Sequence, residues 1–286
     1  MTEPLISTGK LICILVSAVV GAAVPLGLLL WWRKKTGASI ASAFCGAIIF
    51  VVFVYLLESA LHQLCMFGDT GVSAFIKGHN WAYVLYAGLA AGIFEETGRF
   101  VAFKLILKKK RARRESIMYG IGHGGVESIL VCSMSMISVA VMAFSLNAVG
   151  PDAYLASMPE AARASAEAVI TGLTTNPDGL YLVSGLERII AITLHIALSV
   201  LVFAAARVKG KGYLYPVAIL LHALVDCYAV LFTIGVLPNI FITELGVAVI
   251  TAAVCFFAWR VYKGLPKEGS PSERPAANAA TASGAE

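Results

Sequence analysis

Long runs of apolar residues, separated by short polar segments, follow one another along the first 263 residues of the chain. Each run contains the ~20 apolar residues that a helix needs to cross a bilayer core of ~30 Å. The pattern therefore predicts an all-α polytopic bundle of about seven membrane-spanning helices, in a single transmembrane domain over residues 1–263. The predicted helices lie at about 9–32, 39–66, 81–107, 115–148, 178–206, 212–235 and 238–261.

Composition supports a multi-pass protein of the cell membrane with the lipid bilayer as its main partner. The chain is 59% hydrophobic and 14% charged, whereas soluble domains carry about 25% charged residues. The net charge of +5 reflects membrane topology, and no nucleic-acid partner is expected. The six cysteines are scattered singly, so neither a thiolate zinc site nor a disulfide framework is predicted.

The distribution of positive charge predicts the orientation of the bundle. Most Lys and Arg residues follow the first, third, fifth and seventh apolar runs, as in 33–35 and 108–114. Because positive loops stay in the cytosol, we expect the N-terminus outside and the C-terminus inside. Residues 264–286 are rich in Ser, Pro, Ala, Asn and Glu. They are predicted to form a disordered cytosolic tail.

Four consecutive apolar runs contain short clusters of ionisable residues. Such residues cost several kcal/mol each at membrane depth, so they are rare there without pairing or function. Histidine together with carboxylates is the usual ligand and base set of a hydrolytic zinc site. The clusters are Glu95, Glu96 and Arg99; His123 and Glu127; Glu187, Arg188 and His195; and His222 and Asp226.

These clusters are predicted to meet in one layer of the membrane. Counting ~1.5 Å per residue from the basic helix ends places their histidines, together with Glu95, Glu96, Glu127 and Asp226, roughly 12–21 Å deep. The two histidine–carboxylate pairs with a spacing of four residues each share a helix face. We therefore predict a single Zn²⁺ site at this depth. Its candidate ligands are His123, Glu127, His195, His222 and Asp226.

The adjacent glutamates Glu95 and Glu96 are candidates for catalysis. A carboxylate beside a zinc-activated water is the standard general base of amide hydrolysis. Neighbouring residues project about 100° apart on a helix, so one glutamate can face the metal while the other orients it or pairs with Arg99. Glu95 is the favoured base, and Glu96 is expected to engage Arg99.

Other ionisable residues are predicted to be structural. Glu58 and Arg188 lie at similar depths near the outer face, where they are expected to form an ion pair. Glu244 is expected at the outer interface without a functional role.

The motifs resemble those of a known clan. The EExxR sequence at 95–99 and the HxxxD sequence at 222–226 resemble the CPBP/PrsW clan of intramembrane metalloproteases, which includes type II CAAX prenyl proteases. The HGxxE sequence at 123–127 and the ER…H pattern at 187–195 resemble the YhfC family within it. The similarity covers the core helices, about 81–235. It implies that Glu95 or Glu96 activates water and that the following helices bind the metal.

In one respect the motif departs from the CAAX-type pattern. Glu127 stands where the ligand histidine of FxxxH stands, and Asp226 replaces the final Asn of HxxxN. Which of His123, Glu127 and His195 bind the metal directly is therefore left open.

The sequence predicts a zinc-dependent intramembrane endopeptidase that acts on membrane proteins or peptides, with its site opening toward the cytosolic half. One alternative is a catalytically silent scaffold or an ion- or proton-coupled transporter with the same polar core. Another is a haem-binding bundle with axial histidines. About one zinc per chain favours the peptidase, no metal favours the scaffold or transporter, and a Soret band favours haem.

Overall fold

The computed structural model describes residues 4–266, and this part of the chain is helical with no strand. The predicted tail at 264–286 falls outside the described residues from 267 onward. The helices are α1 (Thr8–Thr36), α2 (Ile40–Phe67), α3 (Gly71–Gly78), α4 (Asn80–Val101), α5 (Arg114–Val149), α6 (Pro151–Ala156), α7 (Glu160–Thr175), α8 (Asp178–Arg207), α9 (Leu214–Thr233) and α10 (Ile240–Lys263).

Within the described residues, six helices are long and apolar enough to cross a membrane: α1, α2, α5, α8, α9 and α10. The predicted third span, 81–107, corresponds to α4 and its π-helical continuation Ala102–Ile106. Its glutamates and arginine make α4 less apolar than the other six helices. Large apolar side chains are exposed around the bundle, such as Leu30 and Leu64. The all-α, multi-pass membrane bundle is thus confirmed, while its orientation stays a prediction.

Local signals explain where the helices begin and end. The Ser7 hydroxyl accepts a hydrogen bond from the Lys10 backbone N–H at the start of α1, as N-cap residues do. The same helix ends at Gly37, which has a φ of 68° and donates its N–H to the Arg33 carbonyl. Glycine is favoured there because a left-handed backbone carries no steric penalty without Cβ. The Asn239 side chain caps α10 by accepting from the N–H of Phe241.

Helix α8 forms the centre of the bundle. Of its most apolar stretch 67% is buried, against 28% or less in the other five apolar helices. It packs against α1, α5, α9 and α10, and Leu198, Val202 and Phe203 are nearly inaccessible. Most side chains in this stretch of α8 therefore face other helices and not lipid.

The helices that carry the polar clusters approach one another very closely. A Cβ at Gly122 of α5 would collide with the backbone of Ala43 in α2. A Cβ at Gly88 of α4 would likewise collide with the Ala223 carbonyl of α9. Small residues at helix crossings are how membrane helices gain van der Waals contact. These crossings fix the position of α5 beside α2, and of α4 beside α9.

Several of these helices contain π-helical turns, which the apolar pattern does not reveal. They occur at Val51–Glu58 and Gln63–Phe67 in α2, and at Ser128–Ser133 in α5. The turn in α5 begins directly after Glu127, and the one that extends α4 begins three residues after Arg99. Such turns occur frequently at functional sites.

Candidate metal centre

Four helices bring most of the predicted site residues into one buried group. The side chains come from α4, α5, α8 and α9, and each is 6% exposed or less. The sequence-based expectation that these clusters share one membrane layer agrees with this arrangement. The group consists of Glu95, Glu96, Arg99, His123, His195 and His222.

The carboxylate of Glu95 lies at the centre of the group. His123 donates from Nε2 to its Oε2 over 2.9 Å, and Nδ1 of His195 lies 3.6 Å from the same oxygen. Nε2 of His222 is 3.8 Å from Oε1. Three atoms that could bind a metal ion lie within 4.8 Å of one another, one each from Glu95, His123 and His195. Two imidazoles and a carboxylate from three helices thus converge on one point.

Arg99 connects both glutamates to His195. Its Nη1 donates to Glu96, and its Nη2 lies 3.2 Å from Glu95 Oε2. The same Nη2 donates to Nδ1 of His195 over 2.5 Å. Glu96 is paired a second time, because His222 Nδ1 donates to its Oε1 over 2.7 Å. Arg99 therefore compensates two adjacent carboxylates that are buried together.

Glu127 contacts His195, and not the histidine one turn before it on its own helix. Its Oε2 forms an ion-pair contact with Nε2 of His195, while its Oε1 accepts from Nη1 of Arg188 over 2.9 Å. Arg188 is held in turn by Glu187, whose Oε2 accepts from its Nε over 2.5 Å. A carboxylate that fixes an imidazole in this way is typical of the surroundings of metal-binding histidines.

The predicted ion pair between Glu58 and Arg188 is wrong. Arg188 forms ion pairs with Glu127 and Glu187. Oε1 of Glu58 lies 3.4 Å from Nε2 of His62 on its own helix. Equal depth along two helices does not bring their side chains together when the two faces point in different directions.

Asp226 lies at the edge of the group. Its Oδ2 is 3.4 Å from Nε2 of His222, one turn before it, and its side chain is 32% exposed. It borders a cavity of about 680 Å³ that also reaches Glu95, Glu127, His195 and His222. The buried group is thus connected to a space large enough for several residues of an extended peptide.

This cavity runs between α8, α9 and α10 to the end of the bundle at Asn176, Leu180 and Ile240. Those residues lie at the opposite helix ends from the basic connections 108–114 and 207–211, none of which line it. The cavity thus extends away from the basic helix ends, and the side of the membrane toward which it opens stays a prediction together with the orientation. The helix phases that decide which side is open are set by packing and not by hydropathy.

A family model described as YhfC intramembrane metalloprotease matches residues 20–247. The chain belongs to the YhfC family. It is 32% identical to the membrane protein YhfC of Bacillus subtilis (strain 168) over 255 residues, which cover 87% of this chain and 95% of that relative. No solved structure matches the chain. The YhfC match contains every residue of the buried group and extends beyond the 81–235 core seen in the motifs.

The residues present fit the metal that the YhfC family description implies. Two imidazoles and one carboxylate form a donor set used by catalytic zinc, which keeps its fourth position for water. Nη2 of Arg99 lies between Glu95 Oε2 and His195 Nδ1. A metal ion bound at His195 Nδ1 therefore requires that the Arg99–His195 bond be given up. Arg99 then remains paired with Glu96.

Some residues near the YhfC site could not be identified from the sequence motifs. The rings of Phe50 and Tyr119 flank His123, at centroid distances of 5.2 and 5.8 Å, and neither belongs to a polar motif. Glu244 was expected to have no role, yet it lines the cavity. No second ionisable residue lies near Glu244 in α10, so a search for clusters could not find it.

Proposed function

We propose that this protein is a zinc-dependent intramembrane endopeptidase that hydrolyses peptide bonds of membrane-associated substrates. The observation that carries the proposal is the buried convergence of Glu95, His123 and His195 beside a cavity of about 680 Å³. Membership of a family described as intramembrane metalloproteases supports it.

In this proposal His123 and His195 bind the ion, and His222 lies close enough to assist. Their imidazoles come from three different helices, so the site forms only when α5, α8 and α9 are packed together. When bound, zinc supplies a Lewis acid that polarises a peptide carbonyl and acidifies water. Glu127 and Arg188 hold the ring of His195 in the orientation that points Nδ1 toward Glu95.

Glu95 is the proposed proton acceptor. It lines the cavity, and Glu96 does not. Oε1 of Glu96 is engaged by Arg99 and His222, and Glu96 is completely buried. Of the two adjacent glutamates, only Glu95 can therefore meet a water molecule in the cavity, take its proton and pass it to the leaving amine. Arg99 donates to its Oε2 and holds the carboxylate in place.

His222 and Asp226 complete the wall of the cavity next to Glu95. They supply hydrogen-bonding groups for the backbone of an extended substrate. A transmembrane helix has no free backbone groups, so a substrate must be unwound at the cleaved bond. Polar groups at this depth give the unwound backbone its hydrogen-bond partners.

One observation favours the alternative of a metal-free scaffold or transporter. Arg99 already neutralises Glu95 and Glu96 and occupies a bond to His195, so the polar core is paired without an ion. The two functions differ in metal content and in the cleavage of membrane proteins.

The test compares membranes from cells that express wild type, Glu95→Gln or the control His79→Ala. His79 is an exposed loop histidine outside the buried group. New protein termini are identified by mass spectrometry, and zinc is measured on the purified proteins. We expect termini that occur with wild type and with the control but are absent from Glu95→Gln. Identical termini in all three samples would contradict the peptidase and favour the scaffold.

A further inference from the structure

A second cavity, of about 500 Å³, lies at the basic ends of α4 and α8. None of the metal-centre residues border it, and its lining contains no carboxylate. Apolar side chains, including Phe203, Ala206 and Leu265, form part of its wall. The remaining wall is cationic and consists of Lys104, Lys108, Arg111, Arg207 and Lys209.

Within residues 4–266, these five cations have no Asp or Glu partner. Arg207 instead donates to two backbone carbonyls, to Leu107 over 2.5 Å and to Lys108 over 3.2 Å. Its Nε is buried without a hydrogen-bond partner. Like charges grouped around one cavity repel one another, and a bound anion relieves that repulsion. The site is therefore built for an anion, and no carboxylate from residues 4–266 lines it.

The surroundings of the cavity indicate the chemistry of that anion. Leu105 and Ile106 follow Lys104 on the last turn that extends α4, and they are 63% and 57% exposed. The cationic cavity thus lies directly beside apolar side chains that face outward from the bundle. This is the level at which a phospholipid passes from its charged headgroup to its acyl chains.

We propose that this cavity binds the phosphate group of an anionic phospholipid, with the acyl chains along Leu105 and Ile106. Free inorganic phosphate offers the same group without the chains, and the neighbouring apolar surface favours the lipid. Arg207 and the four other cations supply charge and hydrogen-bond donors. The proposal does not depend on the peptidase activity, since it concerns a different cavity.

The experiment measures binding of phosphatidylglycerol, phosphatidylcholine and inorganic phosphate to the delipidated full-length protein by native mass spectrometry. The test variant is Lys104→Gln/Arg111→Gln/Lys209→Gln, which leaves the helix-end bonds of Arg207 intact. The matched control is Lys34→Gln/Lys109→Gln/Lys110→Gln. It removes three exposed cations that do not line the cavity.

We expect wild type to prefer phosphatidylglycerol over phosphatidylcholine. Each charge removed from the cavity should weaken phosphatidylglycerol binding by about fivefold, so that the test variant binds roughly 100-fold more weakly. The control should stay within about threefold of wild type, because general surface attraction falls off quickly with distance.

Equal losses in the test variant and the control would overturn the proposal, as would equal binding of the two lipids. If inorganic phosphate binding alone depends on the three cavity residues, free phosphate is the ligand and the lipid assignment is wrong. If the triple variant does not elute as a folded, monodisperse protein, Lys104→Gln and Arg111→Gln are compared singly with Lys109→Gln. Single variants that bind as Lys109→Gln does would likewise overturn the proposal.

Discussion

The carboxylate of Glu95 and the imidazole of His123 meet across the contact between α4 and α5, with 2.9 Å between Oε2 and Nε2. The two residues are 28 positions apart in the chain, and both are buried. Their bond therefore depends on the packing of the two helices and not on local sequence. It keeps a carboxylate and an imidazole oriented toward the point that His195 approaches from α8.

The proposed zinc site predicts a specific loss of metal. His123→Ala and His195→Ala each remove one of the two imidazoles in the convergent group, so zinc affinity should fall by about tenfold or more. The exposed histidine variant His79→Ala should keep about one zinc per chain. Metal analysis of the three purified proteins checks this. Unchanged zinc in both site variants would show that these histidines do not bind it.

The two adjacent glutamates should differ in their effects. Glu95→Gln removes the cavity-facing proton acceptor, so cleavage should fall by about 10²–10⁴-fold while zinc stays bound through the histidines. Glu96→Gln keeps the size of a side chain that does not reach the cavity, and its effect on cleavage should be smaller. Rates and zinc content are measured on the same preparations. Loss of zinc from Glu95→Gln would instead identify Glu95 as a ligand.

Arg99 should be important for stability. It is completely buried and pairs with Glu95 and Glu96. Arg99→Ala leaves their charge uncompensated, which typically destabilises a protein by about 3–5 kcal/mol. The control Arg163→Ala removes an exposed arginine and should change stability by less than about 0.5 kcal/mol. Unfolding in mixed micelles measures both variants. Equal stability of the two would rule out a structural role for Arg99.

The distribution of basic residues predicts that the N-terminus is outside. A cysteine at Ser157 should then react with an impermeant reagent from outside, and a cysteine at Lys109 only after the cells are opened. Both positions are exposed, and labelling above the background of the six native cysteines is the readout. The reverse pattern would invert the bundle and place the large cavity on the cytosolic side.

The apolar pattern was sufficient to predict the long membrane helices and to place the site residues at a common level along them. Hydropathy identifies a segment that can cross a bilayer, and the constant rise of a helix converts residue number into depth. His123, His195 and His222 could therefore be assigned to one layer before their contacts were known. The YhfC motifs pointed to the same residues.

The partners of these residues could not be predicted in the same way. The rotation of a helix about its axis is set by the helices packed around it, so Glu127 turned out to bind His195, and Arg188 bound Glu127 and not Glu58. The π-helical turn after Glu127 shifts the phase of the rest of α5 and leaves no signature in the hydropathy. The sequence pattern did not identify Glu244 as a site residue, because Glu244 is connected with the site only through the cavity that it lines.

The glycine contact between α2 and α5 also bears on how a substrate could enter. A Cβ at Gly46 would collide with the Tyr119 carbonyl, and one at Gly122 with Ala43, so these two backbones are pressed together with no side chain between them. Helix α5, which carries His123 and contributes Glu127 to the cavity wall, is therefore held rigidly against α2. Helix α10 meets α9 through the Tyr228 ring, which packs against Gly246. A side chain can change rotamer far faster than two helix backbones in direct contact can separate. Widening the cleft at α10 would disturb this side-chain contact and the packing of α10 along α8, whereas widening it at α5 would have to separate two helix backbones in direct contact.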